Sequence, residues 1–200
     1  MTLEVITFGC RLNSYESELI KKSATEAGLE NAIIFNSCAV TSEAERQLRQ
    51  AIRKARRDNP DAEIIVTGCA AQVNPQKYSS MPEVSKVLGN QEKVLSNSYS
   101  TQTEQILVND IMSIKETALQ MVEGFENKAR AFLQIQNGCN HRCTFCMIPY
   151  GRGNSRSVPI GEIVAQVRKL VENGYNEIVL TGVDITDYGL DLPGKPSLGQ

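Results

Sequence analysis

The sequence lacks any run of apolar residues long enough to cross a membrane, which excludes a spanning helix as an organising element. It also lacks a recognisable leader: MTLEVITFGC has no basic n-region and no small-residue cleavage site, and it reads directly as a strand. There is no surplus of positive charge. Against 23 Asp and Glu stand 21 Lys and Arg, so the net charge is −2 and any RNA contact must come from a local basic patch. The single histidine, His141, leaves imidazole-based acid–base chemistry little to draw on. What remains is an ordinary globular balance over 200 residues, 41% hydrophobic and 22% charged, enough for one large domain or two small ones.

The chain does hold six cysteines. In a secreted protein they would suggest disulfides. Without a leader, a reducing cytoplasmic setting is expected, and there they read as metal ligands or reactive thiols.

The first half alternates strand and helix patterns. Residues 3–10, 32–38 and 62–69 are short apolar runs. A helix is expected over 14–27, with Asn13 as its cap, Glu16 three residues on, Tyr15 and Leu19 on one face, and Gly28 as its stop. A second follows Thr41 or Ser42, with Ser42 and Glu45 as a capping box and Asn59-Pro60 as its end. A short helix is expected near 74–80. This order predicts an α/β fold: a three-layer domain with a parallel sheet and right-handed crossovers. Each apolar run ends in a cysteine (TFGC, FNSC, VTGC). Ligands of open parallel sheets bind beyond the carboxyl ends of the strands, so Cys10, Cys38 and Cys69 are expected to emerge at one edge. The plainer alternative is three buried free thiols.

Domain boundaries are expected at 1–95, 96–128 as a connection in which ILV can form a short strand, and 129–200 as a second β/α array. That array opens with strand 130–138, then a helix from Pro159 with the stripe Ile163, Val164, Val167, Leu170 and Val171, then strand 175–181. Between the first strand and the helix lies Cys139-Asn-His-Arg-Cys143-Thr-Phe-Cys146. Three thiolates on one loop can hold three irons of a [4Fe–4S] cube and leave the fourth open. A zinc loop is the alternative, with His141 as a fourth ligand set awkwardly between two of the cysteines. Arg46, Arg49, Arg53, Arg56 and Arg57 recur at helical spacing and form either a phosphate-contacting face or a solvated helix surface. Arg152 and Arg156 follow the cysteine loop and can meet RNA phosphate or a cofactor carboxylate, or simply lie on a surface loop.

CxxxCxxC with an aromatic before its last cysteine, at a strand end of a β/α array, resembles the radical S-adenosylmethionine superfamily. Three further cysteines in a preceding domain make the whole chain similar to the methylthiotransferases, through FGCRLNSYES, NSCAVTSEAE, VTGCAAQ and NGCNHRCTFCMIPYGRGNSRS. FGCRLN, CMIPYGRGNSRS and LTGVDITDYG are most like the branch acting on threonylcarbamoyladenosine in tRNA. The isopentenyladenosine branch more usually shows YGCQMN, and the ribosomal-protein branch differs after its first cysteine.

This resemblance implies two [4Fe–4S] clusters, one on Cys139, Cys143 and Cys146 and a sulfur-donating one on Cys10, Cys38 and Cys69. It implies S-adenosyl-L-methionine on the open iron of the former, with Phe145 near its adenine and Thr181, Gly182 and Val183 receiving its amino group. It implies transfer of a methylthio group to carbon 2 of the modified adenosine beside the anticodon. The partners implied are tRNA and an electron donor such as a flavodoxin or ferredoxin, with neither membrane nor DNA. A ribosomal protein as target, or a non-catalytic iron–sulfur or zinc module, are the competing readings. A radical-SAM barrel needs more β/α units than this chain holds, and no small C-terminal RNA-binding β-barrel is seen. A fragment that does not turn over alone is therefore expected.

Overall fold

The computed structural model describes residues 3–100, 103–115, 122, 124–125 and 129–200. The first half is a parallel five-stranded sheet in the order β1-β2-β3-β4-β5. Its strands are β1 (Glu4–Thr7), β2 (Ala32–Ser37), β3 (Glu63–Gly68), β4 (Lys86–Leu88) and β5 (Ile106–Leu107). The expected α/β class and parallel sheet are what is observed. The segment read as a connection supplies β5, which pairs with β4 through Val87–Ile106 and Leu88–Leu107.

β2 and β3 are buried on both faces, as the unbroken apolar runs AIIF and IIV require. Alternation then sends Ile33 and Phe35 to one face and Ile34 to the other. Helix α2 (Ser42–Asp58) packs Leu48 and Ile52 onto the first face. Helix α1 (Arg11–Glu26) packs Ile20 and Ala24 onto the second. Strand order 1-2-3 with its two helices on opposite faces gives the two crossovers opposite hands. The right-handed expectation therefore fails at one of them.

Helix starts also differ from expectation. α1 begins directly after Cys10, so Asn13 lies inside its first turn and does not cap it. α2 is capped by Thr41, whose hydroxyl accepts from Ala44 N at 3.1 Å. Glu45, expected in a box with Ser42, instead bonds Lys77. Two short helices follow β3: α3 (Cys69–Val73) and α4 (Pro75–Ser79).

The second half contains β6 (Ala131–Gln134), β7 (Gln136–Asn137), α5 (Ile148–Arg152), β8 (Arg156–Ser157), α6 (Ile160–Glu172) and β9 (Ile178–Thr181). β6 and β9 pair in parallel, and β7 and β8 pair antiparallel. Tyr15 and Leu19 of α1 join Ala131, Leu133, Ile135, Leu170 and Tyr188 in one core. α1 is therefore apolar on two sides, one for the sheet and one for the second half. Among the described residues no helix is long and apolar enough to cross a membrane.

Candidate metal centres

The first three strands end in register: Thr7 faces Asn36, Asn36 faces Thr67, and Ser37 faces Gly68. The cysteines that follow them consequently leave the sheet at one edge. Cys10, Cys38 and Cys69 line a single cavity of about 530 Å³. Two glycines permit this approach. A Cβ at Gly9 would stand 2.9 Å from Cys38 Cβ, and a Cβ at Gly151 would stand 3.2 Å from Cys69 Cβ. Burial, and then the neighbouring Cys69 and Cys10 thiols, push the Cys38 thiol up from its ordinary range. Three adjacent thiols resist joint ionisation unless a cation compensates them, which is what a metal centre supplies.

Behind this edge lies a buried polar network. The Asn13 amide nitrogen donates to Phe8 O and Ser37 O, both at 2.9 Å, and so ties the ends of β1 and β2 together. Its Oδ1 accepts from Arg152 at 2.7 Å and from Cys10 Sγ at 3.6 Å. The Arg152 guanidinium forks onto Glu16, at 2.8 and 3.1 Å. Lys93 Nζ donates to the same carboxylate at 2.7 Å and to Asn90 Oδ1 at 2.6 Å. Asn90 in turn reaches Cys69 Sγ at 3.7 Å and Gly151 O at 2.5 Å.

Burial acting alone would raise the Glu16 pKa. Arg152 and Lys93 outweigh it and bring the group from 4.5 down to about 2. A carboxylate whose folded pKa lies below its unfolded value adds stability above the unfolded value and loses it below. The stability contributed by this network is expected to fall as pH drops from about 4.5 toward 2. Urea midpoints taken at intervals across that range test it, and a midpoint flat from pH 5 to 3 contradicts it.

The second cysteine loop follows β7. Cys139 N donates to Gly153 O at 3.1 Å, and Cys146 N to Cys143 O at 3.0 Å. Arg142 braces the loop from Cys139 O at 3.0 Å to Asn154 Oδ1 at 2.8 Å. Burial raises the Cys139 thiol, as does Asp184, whose carboxylate accepts from Sγ at 3.5 Å. The same carboxylate meets His141 Nε2 at 3.2 Å. Gln136, fully buried, joins the turn after β9 to this loop: its Oε1 accepts from Val183 N and Asp184 N, each at 2.8 Å, and its Nε2 donates to Gly138 O at 2.7 Å.

Spacing discriminates between metals. Among the described residues, the one set of three or more candidate ligands whose atoms lie within 4.8 Å of one another is His141, Asp184 and Asp187. Neither cysteine triplet is that tight. Thiolates sharing one zinc at Zn–S distances of about 2.3 Å would stand about 3.8 Å apart. Thiolates that each bind a different iron of a cube are spread more widely. Neither triplet therefore has its three sulfurs as close together as three ligands of a single zinc would stand.

The remaining sequence candidates divide. Thr181, Gly182 and Val183 line the cavity of the first triplet, together with Met147, Ile148 and Arg152. Phe145 is 88% exposed, so ordinary core packing does not account for it. Arg152 and Arg156 correct the surface-loop expectation, because each is only 4% exposed. The anion that Arg152 meets is Glu16, and Arg156 donates to Arg152 O at 2.8 Å. On α2, Arg46 pairs with Glu43, Arg49 with Glu45 and Arg53 with Glu83, while Arg56 bonds the carbonyls of Glu83, Pro60 and Ala62. That face is largely neutralised internally, which favours the solvated-surface reading. Lys93, Asn90, Gln136 and Asp184 escaped the sequence reading. Glu16, expected three residues after an Asn13 cap, is instead the buried partner of Arg152 and Lys93.

Comparison with known families matches residues 2–89 to the uncharacterized protein family UPF0004 and residues 133–192 to the radical SAM superfamily. A threonylcarbamoyladenosine tRNA methylthiotransferase of Rickettsia prowazekii is 61% identical over 197 residues, covering 98% of this chain and 47% of that protein. Its namesake in Aquifex aeolicus is 40% identical, covering 92% of this chain and 48% of that protein. A tRNA-2-methylthio-N(6)-dimethylallyladenosine synthase of Carboxydothermus hydrogenoformans is 31% identical, covering 98% and 48%. The chain spans about half the length of the curated relatives it matches. Two matched segments in this order, each carrying its own cysteine triplet, make the chain similar over nearly its whole length to about half the length of the threonylcarbamoyladenosine tRNA methylthiotransferases.

Proposed function

We propose that this chain carries both iron–sulfur sites of a cytoplasmic tRNA methylthiotransferase that modifies carbon 2 of threonylcarbamoyladenosine beside the anticodon. One observation carries the reading furthest. The strand-end cysteines of the first half and the turn Thr181-Gly182-Val183 of the second face the same cavity. A sulfur-donating site and a cofactor-binding turn would thus address one space.

Cys10, Cys38 and Cys69 would hold one [4Fe–4S] cluster, and Cys139, Cys143 and Cys146 the other. When bound, these groups supply reductive cleavage of S-adenosyl-L-methionine at the second site and sulfur delivery at the first. The protein's own tasks are binding and orientation. Gln136 fixes the turn that would receive the cofactor's amino group. Phe145 offers an exposed ring for stacking on adenine. Met147, Ile148 and Val40 give the cavity apolar walls that limit water. An electron donor such as a flavodoxin or ferredoxin, and tRNA, are the partners this chemistry requires.

Anaerobic reconstitution with iron and sulfide is expected to give about eight irons per chain, four for each cube. Replacing either cysteine triplet with alanine should remove half of them, and zinc in place of iron would defeat the reading. Nucleoside mass spectrometry of RNA from a strain lacking the gene should show loss of the 2-methylthio group from threonylcarbamoyladenosine. Loss from isopentenyladenosine would reassign the branch. An unchanged nucleoside profile would turn attention to a protein target.

A further inference from the structure

Two cations lie buried directly behind the first cysteine triplet, and each is one asparagine away from a cysteine. Arg152 donates to Asn13 Oδ1 at 2.7 Å, and that oxygen lies 3.6 Å from Cys10 Sγ. Lys93 donates to Asn90 Oδ1 at 2.6 Å, and the amide of Asn90 lies 3.7 Å from Cys69 Sγ. Both cations share the carboxylate of Glu16, and the side chains of Lys93, Arg152 and Glu16 are 0%, 4% and 5% exposed. One carboxylate against two cations leaves a single positive charge in this network, screened from solvent. A buried charge acts over longer range than a surface one, because neither water nor salt screens it. Positive charge near an iron–sulfur group favours its more negative, reduced form, since net charge and hydrogen bonding set such potentials.

We propose that Arg152 and Lys93 are positioning residues for charge, together raising the reduction potential of the group held by Cys10, Cys38 and Cys69. The inference rests on the iron–sulfur reading above and adds a division of labour to it. Arg152 comes from α5 in the second half, yet its charge serves the first half's site. The potential of that site is therefore tied to correct docking of the two halves. Arg156 supports this arrangement by holding the Arg152 carbonyl at 2.8 Å.

The test uses the full chain with Cys139, Cys143 and Cys146 replaced by alanine, so that only the first site reports. Dithionite supplies one electron per cluster, and electron paramagnetic resonance reads the reduced fraction against applied potential. Lys93→Met and Arg152→Gln each remove one positive charge. Each is expected to lower the reduced-to-oxidised ratio at fixed potential by on the order of tenfold, for a charge a few ångströms away at intermediate dielectric. That is about 59 mV for a one-electron couple. Arg152→Lys keeps the charge while losing the fork, so it should retain most of the wild-type ratio, whereas a purely structural role would make it behave like Arg152→Gln.

Iron is counted in every sample. Full iron with unchanged potentials in Lys93→Met and Arg152→Gln overturns the proposal. A low potential in Arg152→Lys equal to that of Arg152→Gln overturns the charge argument for Arg152. Absence of iron from the parent with an intact first triplet would instead refute the iron–sulfur reading, and this inference with it.

Discussion

Replacing Glu16 with alanine is expected to lower the unfolding free energy by about 3–5 kcal/mol, the range for stripping one partner from a buried ion pair. The magnitude follows from what is left behind. Arg152 and Lys93 are fully enclosed, and both lose the carboxylate they bond at 2.7 to 2.8 Å. Two uncompensated cations would then share one buried space, with no water to hydrate either. The exposed pair of Lys54 and Asp58, 3.0 Å apart with side chains 73% and 52% exposed, serves as the control. Asp58→Ala should change stability by less than about 0.5 kcal/mol, as exposed helical pairs do. Urea denaturation compares the two variants through their midpoints at constant slope. Equal effects would mean that the network behind the cysteines carries no special weight. Because Arg152 belongs to the second half, Glu16→Ala should also loosen the contact between halves. That is measurable as faster amide exchange in α5 and in the Asn90 loop.

If the two cysteine triplets hold the proposed iron–sulfur groups, methyl groups at Gly68 and Gly138 should each disable one site and leave the other intact. Gly68 has φ +93° and precedes Cys69, and a Cβ there would stand 2.3 Å from Ser37 O and 2.4 Å from Ser37 N. Gly138 has φ +74° and precedes Cys139, and its Cβ would stand 1.9 Å from Asn154 O. Left-handed backbone costs an L-residue about 1–2 kcal/mol before any collision. Here the obstacle is main chain, which cannot swing aside as a side chain would. Relief must come from moving the cysteine-bearing segment. Gly68→Ala is expected to retain only the iron of the second loop, and Gly138→Ala only that of the first. Gly174→Ala is the control, having φ +90° with open space around its Cβ. It carries the backbone strain without the collision, so it should keep all its iron. Full iron in Gly138→Ala would show that the loop adapts.

The strand–helix order of the first half was readable because β2 and β3 are apolar on both faces and α2 shows a clean stripe. β4 was not readable. It is three residues long, and its lysine, Lys86, is buried with its ammonium on Ser100 O and Thr103 Oγ1. The start of α1 was misplaced because Asn13 is a good capping residue by type. Its amide is instead consumed by Phe8 O and Ser37 O, acceptors that exist only once β1 and β2 lie side by side.

The two arginines after the cysteine loop illustrate the same limit more sharply. A GRGNSRS segment reads as an exposed loop by composition, and both arginines are buried. Their partners are Glu16 and the carbonyls around Asn154, and Glu16 stands 136 residues from Arg152. A separation of that length leaves no local trace in either segment.

Local chemistry by itself determined the parallel α/β order, the two cysteine triplets and the strand ends that carry the first of them. These depend on side-chain period and on residue type at adjacent positions, and neighbours in sequence enforce both. Which residues stand behind the cysteines was decided only by folding. Arg152, Glu16 and Lys93 meet because α1 is clasped between two sheets, which brings a side chain of the second half onto a carboxylate of the first in a space closed to solvent.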